Sequence, residues 1–466
     1  MNAVAVDVPA SLRAGEMVLP AGVVSLSEIV SALSFALDLV EDAQPGHAIR
    51  CCLLGLRIAR RLGLSEGEQA DLYYALLLKD AGCSSNARLV CDWVGGDDRV
   101  TKREAKLLDW SKTSFASIRW MWRNAPTGAS TWERLRRLIA VATHPEGMGV
   151  ELFETRCERG AQIARKIGMS TATAEAIRSL DEHWNGCGRP QRLLGEAIPL
   201  FSRILNIAQN LDVFAMELGR RAAMVNLRER SGAWFDPALV ELVEAMDEDG
   251  TLWRDFGSGR EREIVLANEP GHALLANDDH IDRIVEAFAD IVDAKSSFTY
   301  RHSVHVSEVT VAIAQQMQLP PDRIRMLYRA AMLHDLGKLR VPNTVLDKSG
   351  KLTPEEWQII QEHPGLSRQI LERISHFAEL AEVAGNHHEK LDGTGYPAGL
   401  RGEQLSLESR ILTLADMFGS LTELRPYREP MPVADAVAVL REEVPRKLDG
   451  VCFGALVEYL RRSGRL

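Results

Sequence analysis

The heptapeptide Met332-Leu333-His334-Asp335-Leu336-Gly337-Lys338 sets an imidazole and a carboxylate side by side. Five more candidate metal ligands stand around it: His302, His363, His387, His388 and Asp416. Of the 12 histidines, seven lie between 302 and 388 and five of those belong to this set, so composition alone does not account for the clustering. Neighbouring side chains on a helix point about 100° apart, so within a helix His334 and Asp335 cannot both aim at one point. They can serve two metal ions about 3.5–4 Å apart if the carboxylate bridges the pair and the imidazole binds one. A lone histidine is more often a hydrogen-bonded core residue; the whole set reads as a metal site.

Working outward, the chain repeats itself. Ile29-Val30, His47, Ile58-Ala59, Leu64, Asp80 and Gly82 recur 255 positions later at Ile284-Val285, His302, Ile313-Ala314, Leu319, Asp335 and Gly337. Gly186, Gly188, Pro190, Gly195, Glu196 and Arg203 recur 207 positions later at Gly393, Gly395, Pro397, Gly402, Glu403 and Arg410. The first copy therefore carries an insertion between Asp80 and Pro190. Both copies close on a similar phrase, Ala233-Trp-Phe-Asp-Pro-Ala-Leu-Val and Val451-Cys-Phe-Gly-Ala-Leu-Val. So many fixed offsets indicate duplication.

The periodicity is helical. Apolar residues at 281, 284, 285, 288, 291 and 292 line one face. Thr353-Pro354-Glu355-Glu356 predicts a capped helix start, with Glu356 reaching back to the Thr353 cap. Asp392-Gly-Thr-Gly-Tyr-Pro-Ala-Gly is a loop, because three glycines and a proline exclude a helix. Residues 251–278 read as a linker, with a short strand at Glu263-Ile-Val-Leu-Ala.

At 466 residues the chain has room for two or three domains. A net charge of −10 disfavours a nucleic-acid polymer or an anionic membrane as partner. Seven scattered cysteines without CxxC spacing fit free thiols in a cytoplasmic protein. Neither a signal peptide nor a membrane span is expected.

His334-Asp335-Leu-Gly-Lys338, followed by His387-His388-Glu-Lys-Leu-Asp392-Gly-Thr-Gly395-Tyr396-Pro397, resembles the HD-GYP family, a branch of the HD metal-dependent phosphohydrolases. The likeness implies an all-α fold of two HD-type helical bundles in tandem, the C-terminal one carrying the GYP loop. The corresponding boundaries are a tail over 1–24, a degenerate domain over 25–250, the linker over 251–278 and a catalytic domain over 279–466. The implied activity is hydrolysis of cyclic di-GMP with two divalent ions, Fe or Mn. His302, His334, Asp335 and Asp416 would hold one ion; Asp335, as bridge, with His363, His387 and His388 would hold the other. Lys338 would reach a substrate phosphate, Arg425 and Arg428 the second phosphate, and Tyr396 would lie beside the substrate. The physical logic stands without the name. A phosphodiester repels hydroxide, and two cations neutralise it, generate a bridging hydroxide as nucleophile and stabilise the leaving alkoxide, with Lys338 stabilising the transition state.

Three departures qualify that expectation. Some family members carry a third-metal Glu where this chain has Phe298, so two metals are expected, with arrest at linear pGpG rather than GMP. Gly419 stands where the family commonly has Asp, and His305 where it more often has Arg. The first copy keeps His47, Asp80 and His183 but has Lys79 for His334, Cys83 for Lys338, Gln209 for Asp416 and Arg189 for Tyr396; His183 is matched to His388, and the His144-Pro pair is not taken as the match to His363. It is expected to hold no metal and to serve as a brace, a sensor, a homodimer surface or a surface for a signalling partner. His47 and Asp80 then read as core hydrogen-bonding residues, and Cys83, Cys157 and Cys187 as buried inert thiols. Two alternatives stay open: an adaptor that binds cyclic di-GMP without turnover, and a phosphodiesterase of another cyclic dinucleotide.

Overall fold

The computed structural model describes residues 24–41, 43–94, 97–106, 115–124, 130–136, 145–271, 275–296, 301–424 and 428–466. His144, Phe298 and Arg425 lie outside them. The architecture is all-α. The described strands are one two-residue antiparallel pair, Val24–Ser25 on Leu275–Ala276. No described helix is long and apolar enough to cross a membrane.

The chain forms two compact units, which divide between Arg283 and Ile284, inside the helix Asp278–Asp293. That helix buries the anticipated stripe of Ile281, Ile284, Val285, Phe288, Ile291 and Val292. Each fully buried side chain of this size contributes roughly 1.5–3 kcal/mol.

The duplication is legible element by element. Helix His47–Arg61 recurs as His302–Gln316 and Glu66–Leu78 as Pro321–Leu333, both at the 255 offset. Turn Gly195–Ala197 recurs as Gly402–Gln404 at the 207 offset. Starts are fixed by caps: Ser65 with Glu68 in the first unit and Thr353 with Glu356 in the second form reciprocal capping boxes. Asp236 and Asp449 each cap the last long helix of their unit and each pair with an arginine, Arg203 and Arg410. These contacts shift the register of the closing phrases, since Asp236 answers to Asp449.

Residues 261–267 correct one expectation. Glu261–Ala267 is a helix rather than a strand. Acidic residues in its first turn suit the positive end of a helix, and Val265 is its buried contact. The region expected as a linker packs on the first unit: Trp253 and Phe256 are buried, and Glu269 accepts hydrogen bonds from Ser27 and Tyr74 at 2.7 and 2.6 Å.

Candidate metal centre

The seven residues expected to hold metal converge in the second unit, mostly from helix ends. His302 opens the helix His302–Gln316, and His334 follows the helix Pro321–Leu333. Asp335 precedes the 3₁₀ turn Leu336–Arg340, and His363 opens the helix His363–Leu371. His387 and His388 follow the helix Ala378–Gly385, and Asp416 lies within Leu407–Thr422. Gly337 permits the closest approach: a Cβ there would meet the His363 carbonyl oxygen at 2.1 Å. Ser367 pins the same junction, donating to the His334 carbonyl at 2.6 Å and accepting from Gly337 N at 2.8 Å.

Three imidazoles share one device. Nδ1 of His334, His363 and His387 donates to the carbonyl three residues earlier, Ala331, Ile360 and Ala384, at 2.6, 2.5 and 2.6 Å. The proton is thereby fixed on Nδ1, and Nε2 is left as a lone-pair donor facing the centre. His302 reaches the same state differently, with Nδ1 2.7 Å from Glu423 Oε2.

Asp335 faces two ways. Its Oδ2 lies 3.4 Å from His334 Nε2 and 3.7 Å from His302 Nε2, and its Oδ1 lies 3.3 Å from His363 Nε2 and 3.8 Å from His387 Nε2. Asp416 is 3.2 Å from His302 Nε2 through Oδ1 and 3.5 Å from His388 Nδ1 through Oδ2. Two sets have ligand atoms close enough together to hold a metal: His302, His334 and Asp335, and His363, His387 and His388. His334 Nε2 and Asp335 Oδ1 are buried without a hydrogen-bond partner. Such atoms are costly in a protein interior, and a divalent ion would supply the missing interaction. The thiolate-free set of imidazoles and carboxylates suits first-row divalent metals.

The electrostatics match. Burial pushes the His387 imidazole well below its ordinary range, with His388 and His334 adding to the effect. Burial likewise takes His388 down to about 3. Burial opposes ionisation of Asp335 and Asp416, yet His334, Lys338 and His363 hold Asp335 well below the usual carboxylate range, and His302, His334 and His388 do so for Asp416. Neutral imidazoles and ionised carboxylates are the metal-binding forms.

Of the expected substrate contacts, Lys338 Nζ lies 2.6 Å from Asp335 Oδ2 at the rim. The Tyr396 ring lies 4.8 Å from the His388 ring. Arg428 is held elsewhere: its guanidinium donates to the Ser420 carbonyl, and no hydrogen bond or ion pair among the described residues joins it to the histidines. Sequence reading missed Glu423 and Trp357. Trp357 is 46% exposed, with its ring 6.2 Å from Tyr396. Nothing in its local sequence marks it, whereas Glu423 stands four residues, about one helical turn, beyond Gly419.

The first unit has the same frame without the centre. Lys79 Nζ lies 2.8 Å from His47 Nε2 and pairs with Asp80. His47 and Asp80 are thus hydrogen-bonded core residues, as expected. Gly82 repeats the tight approach, with a Cβ 1.9 Å from the Arg156 carbonyl oxygen, so Arg156 answers to His363. Glu182 accepts from Gln191 N and Leu193 N as Glu389 does from Ala398 N and Leu400 N. That equivalence corrects the match of His183: Asp181 answers to His388 and Leu180 to His387. Arg156 and Asp181 form an ion pair where the second unit has two imidazoles. From the insertion, Lys102 and Lys106 reach Glu41 at 3.4 and 3.2 Å. His47, Cys51 and Asp212 also lie close together, but burial raises the Cys51 thiol and Arg50 pairs with Asp212. Cys83 and Cys157 are buried with raised thiols, whereas Cys187 is exposed, contrary to expectation.

The HD domain family matches residues 149–239 and 286–451, and the second segment encloses the paired histidines and the Gly395-Tyr396-Pro397 loop. This chain belongs to the HD-GYP family. Among members, it is 46% identical over 437 residues to a Vibrio cholerae protein named 3'3'-cGAMP-specific phosphodiesterase 3, covering 93% of this chain and 94% of the relative. A crystal structure of a cyclic GMP-AMP-specific phosphodiesterase of V. cholerae matches with a TM-score of 0.65 at 40% identity, over 94% of this chain and 98% of that one. A cyclic di-GMP phosphodiesterase of Pseudomonas aeruginosa is 38% identical over 195 residues, 41% of this chain and 46% of the relative. HD-GYP proteins are metal-dependent, and the clusters above are this chain's candidate ligands.

Proposed function

We propose that the second unit is a metal-dependent cyclic dinucleotide phosphodiesterase whose substrate is 3'3'-cGAMP, with Fe or Mn as the two ions. The observation that carries the reading is the split facing of Asp335, one oxygen toward each histidine set. The substrate choice differs from cyclic di-GMP because the relative spanning nearly the whole chain, degenerate repeat included, is named for 3'3'-cGAMP. Cyclic di-GMP is the second reading, favoured by the relative that matches the smaller share.

When bound, two divalent ions neutralise a phosphodiester, activate water and stabilise the leaving alkoxide. His302, His334, Asp335 and Asp416 would hold one ion, and Asp335 with His363, His387 and His388 the other. Water adds to phosphorus, the P–O3' bond breaks and the alkoxide takes up a proton, leaving a linear dinucleotide. Lys338 at the rim offers its ammonium to the phosphate. Arg428 and Arg425 take the second phosphate once the Ser420 contact is exchanged. Tyr396 and Trp357 offer adjoining aromatic faces for a purine, and stacking of this kind is worth about 1–3 kcal/mol per base.

The test is anaerobic turnover of both cyclic dinucleotides by the full chain loaded with Fe(II) or Mn(II), with His334→Ala, Asp335→Ala as blank. Metal-dependent linear product, faster from 3'3'-cGAMP, supports the proposal. Faster turnover of cyclic di-GMP moves the assignment to the second reading. Product no greater than the blank with either substrate rejects both.

A further inference from the structure

We propose that Glu423 is a positioning residue that sets His302 for metal, standing in for a carboxylate missing at Gly419. The inference rests on the reading of His302 as a ligand. The two units supply an internal comparison. In the first, His47 Nδ1 lies 2.5 Å from Asp212 Oδ2, and Arg50 grips the same carboxylate. The 255 offset places His47 on His302 and Arg50 on His305, and the 207 offset places Asp212 on Gly419. The second unit therefore lacks both the carboxylate and its arginine.

Gly419 has little room for a side chain. A Cβ there would lie 3.0 Å from Val306 Cγ2 and 3.4 Å from His305 Cδ2. The first unit has the smaller Cys51 where Val306 stands. Glu423 lies four residues beyond Gly419, one turn along the same face, where the helix Leu407–Thr422 ends. Its longer side chain carries Oε2 back to 2.7 Å from His302 Nδ1. With Nδ1 donating, Nε2 is the lone-pair atom, and it faces Asp416 Oδ1 at 3.2 Å and Asp335 Oδ2 at 3.7 Å. The neighbouring imidazoles use backbone carbonyls for this purpose. A carboxylate acceptor fixes ring orientation and raises ligand basicity, and removing such a partner typically costs roughly 10–100-fold in metal affinity or activity.

The experiment is Mn(II) titration of metal-stripped full chain, followed by the electron paramagnetic resonance of free Mn(II). Wild type is compared with Glu423→Ala, Glu423→Gln, His302→Ala, and Glu423→Ala combined with Gly419→Asp, Val306→Cys and His305→Arg. Glu423→Ala is expected to weaken binding about tenfold or more, and Glu423→Gln less, since its amide oxygen still accepts. The combined variant, which transplants the first unit's arrangement, is expected to recover affinity. Wild-type affinity in Glu423→Ala, beside a loss in His302→Ala, overturns the positioning role and leaves the ligand reading intact. Unchanged affinity in His302→Ala overturns the ligand reading itself. A loss in Glu423→Ala without recovery in the combined variant overturns the equivalence of Glu423 with Asp212.

Discussion

Where the second unit carries His334, the first carries Lys79, and both side chains address the same neighbours. His334 turns a lone pair toward Asp335 and Asp416. Lys79 instead brings its own cation to Asp80 and His47, buried with nothing exposed. Burial disfavours that ammonium, yet the Asp80 carboxylate keeps its pKa above the ordinary lysine value. The exchange extends outward, because Arg156 and Asp181 pair where two imidazoles face the centre. The first unit thus satisfies its inward-facing carboxylates by ion pairing with cations carried on its own side chains, while the second leaves lone pairs gathered in two sets on either side of Asp335. Where the histidine ligand is missing, a chain-borne cation stands beside the carboxylate, and the helical frame is kept.

The largest expected effect separates the two units outright. His334→Ala with Asp335→Ala should abolish metal binding and reduce turnover to the uncatalysed level, whereas Asp80→Asn should leave metal content unchanged; elemental analysis of the purified chain reads both. Next, Lys79→Met strands a buried carboxylate and should destabilise the first unit by about 3–5 kcal/mol, visible as an earlier denaturation step in both chelated and metal-loaded protein. If chelation altered that step, the first unit's independence of metal would be broken. Gly82→Ala and Gly337→Ala drive a methyl into a backbone oxygen in each unit. Each should cost at least about 1–3 kcal/mol, and only Gly337→Ala should also lower Mn(II) affinity. The smallest effect is symmetrical: Ser65→Ala and Thr353→Ala each remove a cap worth about 1 kcal/mol, read by chemical denaturation.

Much of this was legible beforehand because it rests on spacing. Helical periodicity gave the stripe from Ile281 to Val292, and fixed offsets gave the repeat. The ligand set stood out because imidazoles are scarce elsewhere in the chain. Other features depended on three-dimensional contacts. Glu263-Ile-Val-Leu-Ala looks β-like by composition, but a run this short is decided by its caps and neighbours. The match of His183 failed because identity was preferred to register; the backbone contacts of Glu182 and Glu389 fix the register two residues away from it. Glu423 carried a weak signal, an acidic residue one turn beyond a missing one, but the direction of its side chain is a tertiary fact. Trp357 is an ordinary helix residue until Tyr396 is brought beside it.

The central claim is that one unit holds the metals and the other has replaced them with its own cations. Metal content of the full chain, reconstituted anaerobically with Mn(II) and desalted, tests it most directly when wild type is set beside His334→Ala, Asp335→Ala. The account predicts about two ions per chain in the wild type and none in the variant. Ions retained in the variant and lost only when His47→Ala is added would place a metal among His47, Cys51 and Asp212, and would contradict it.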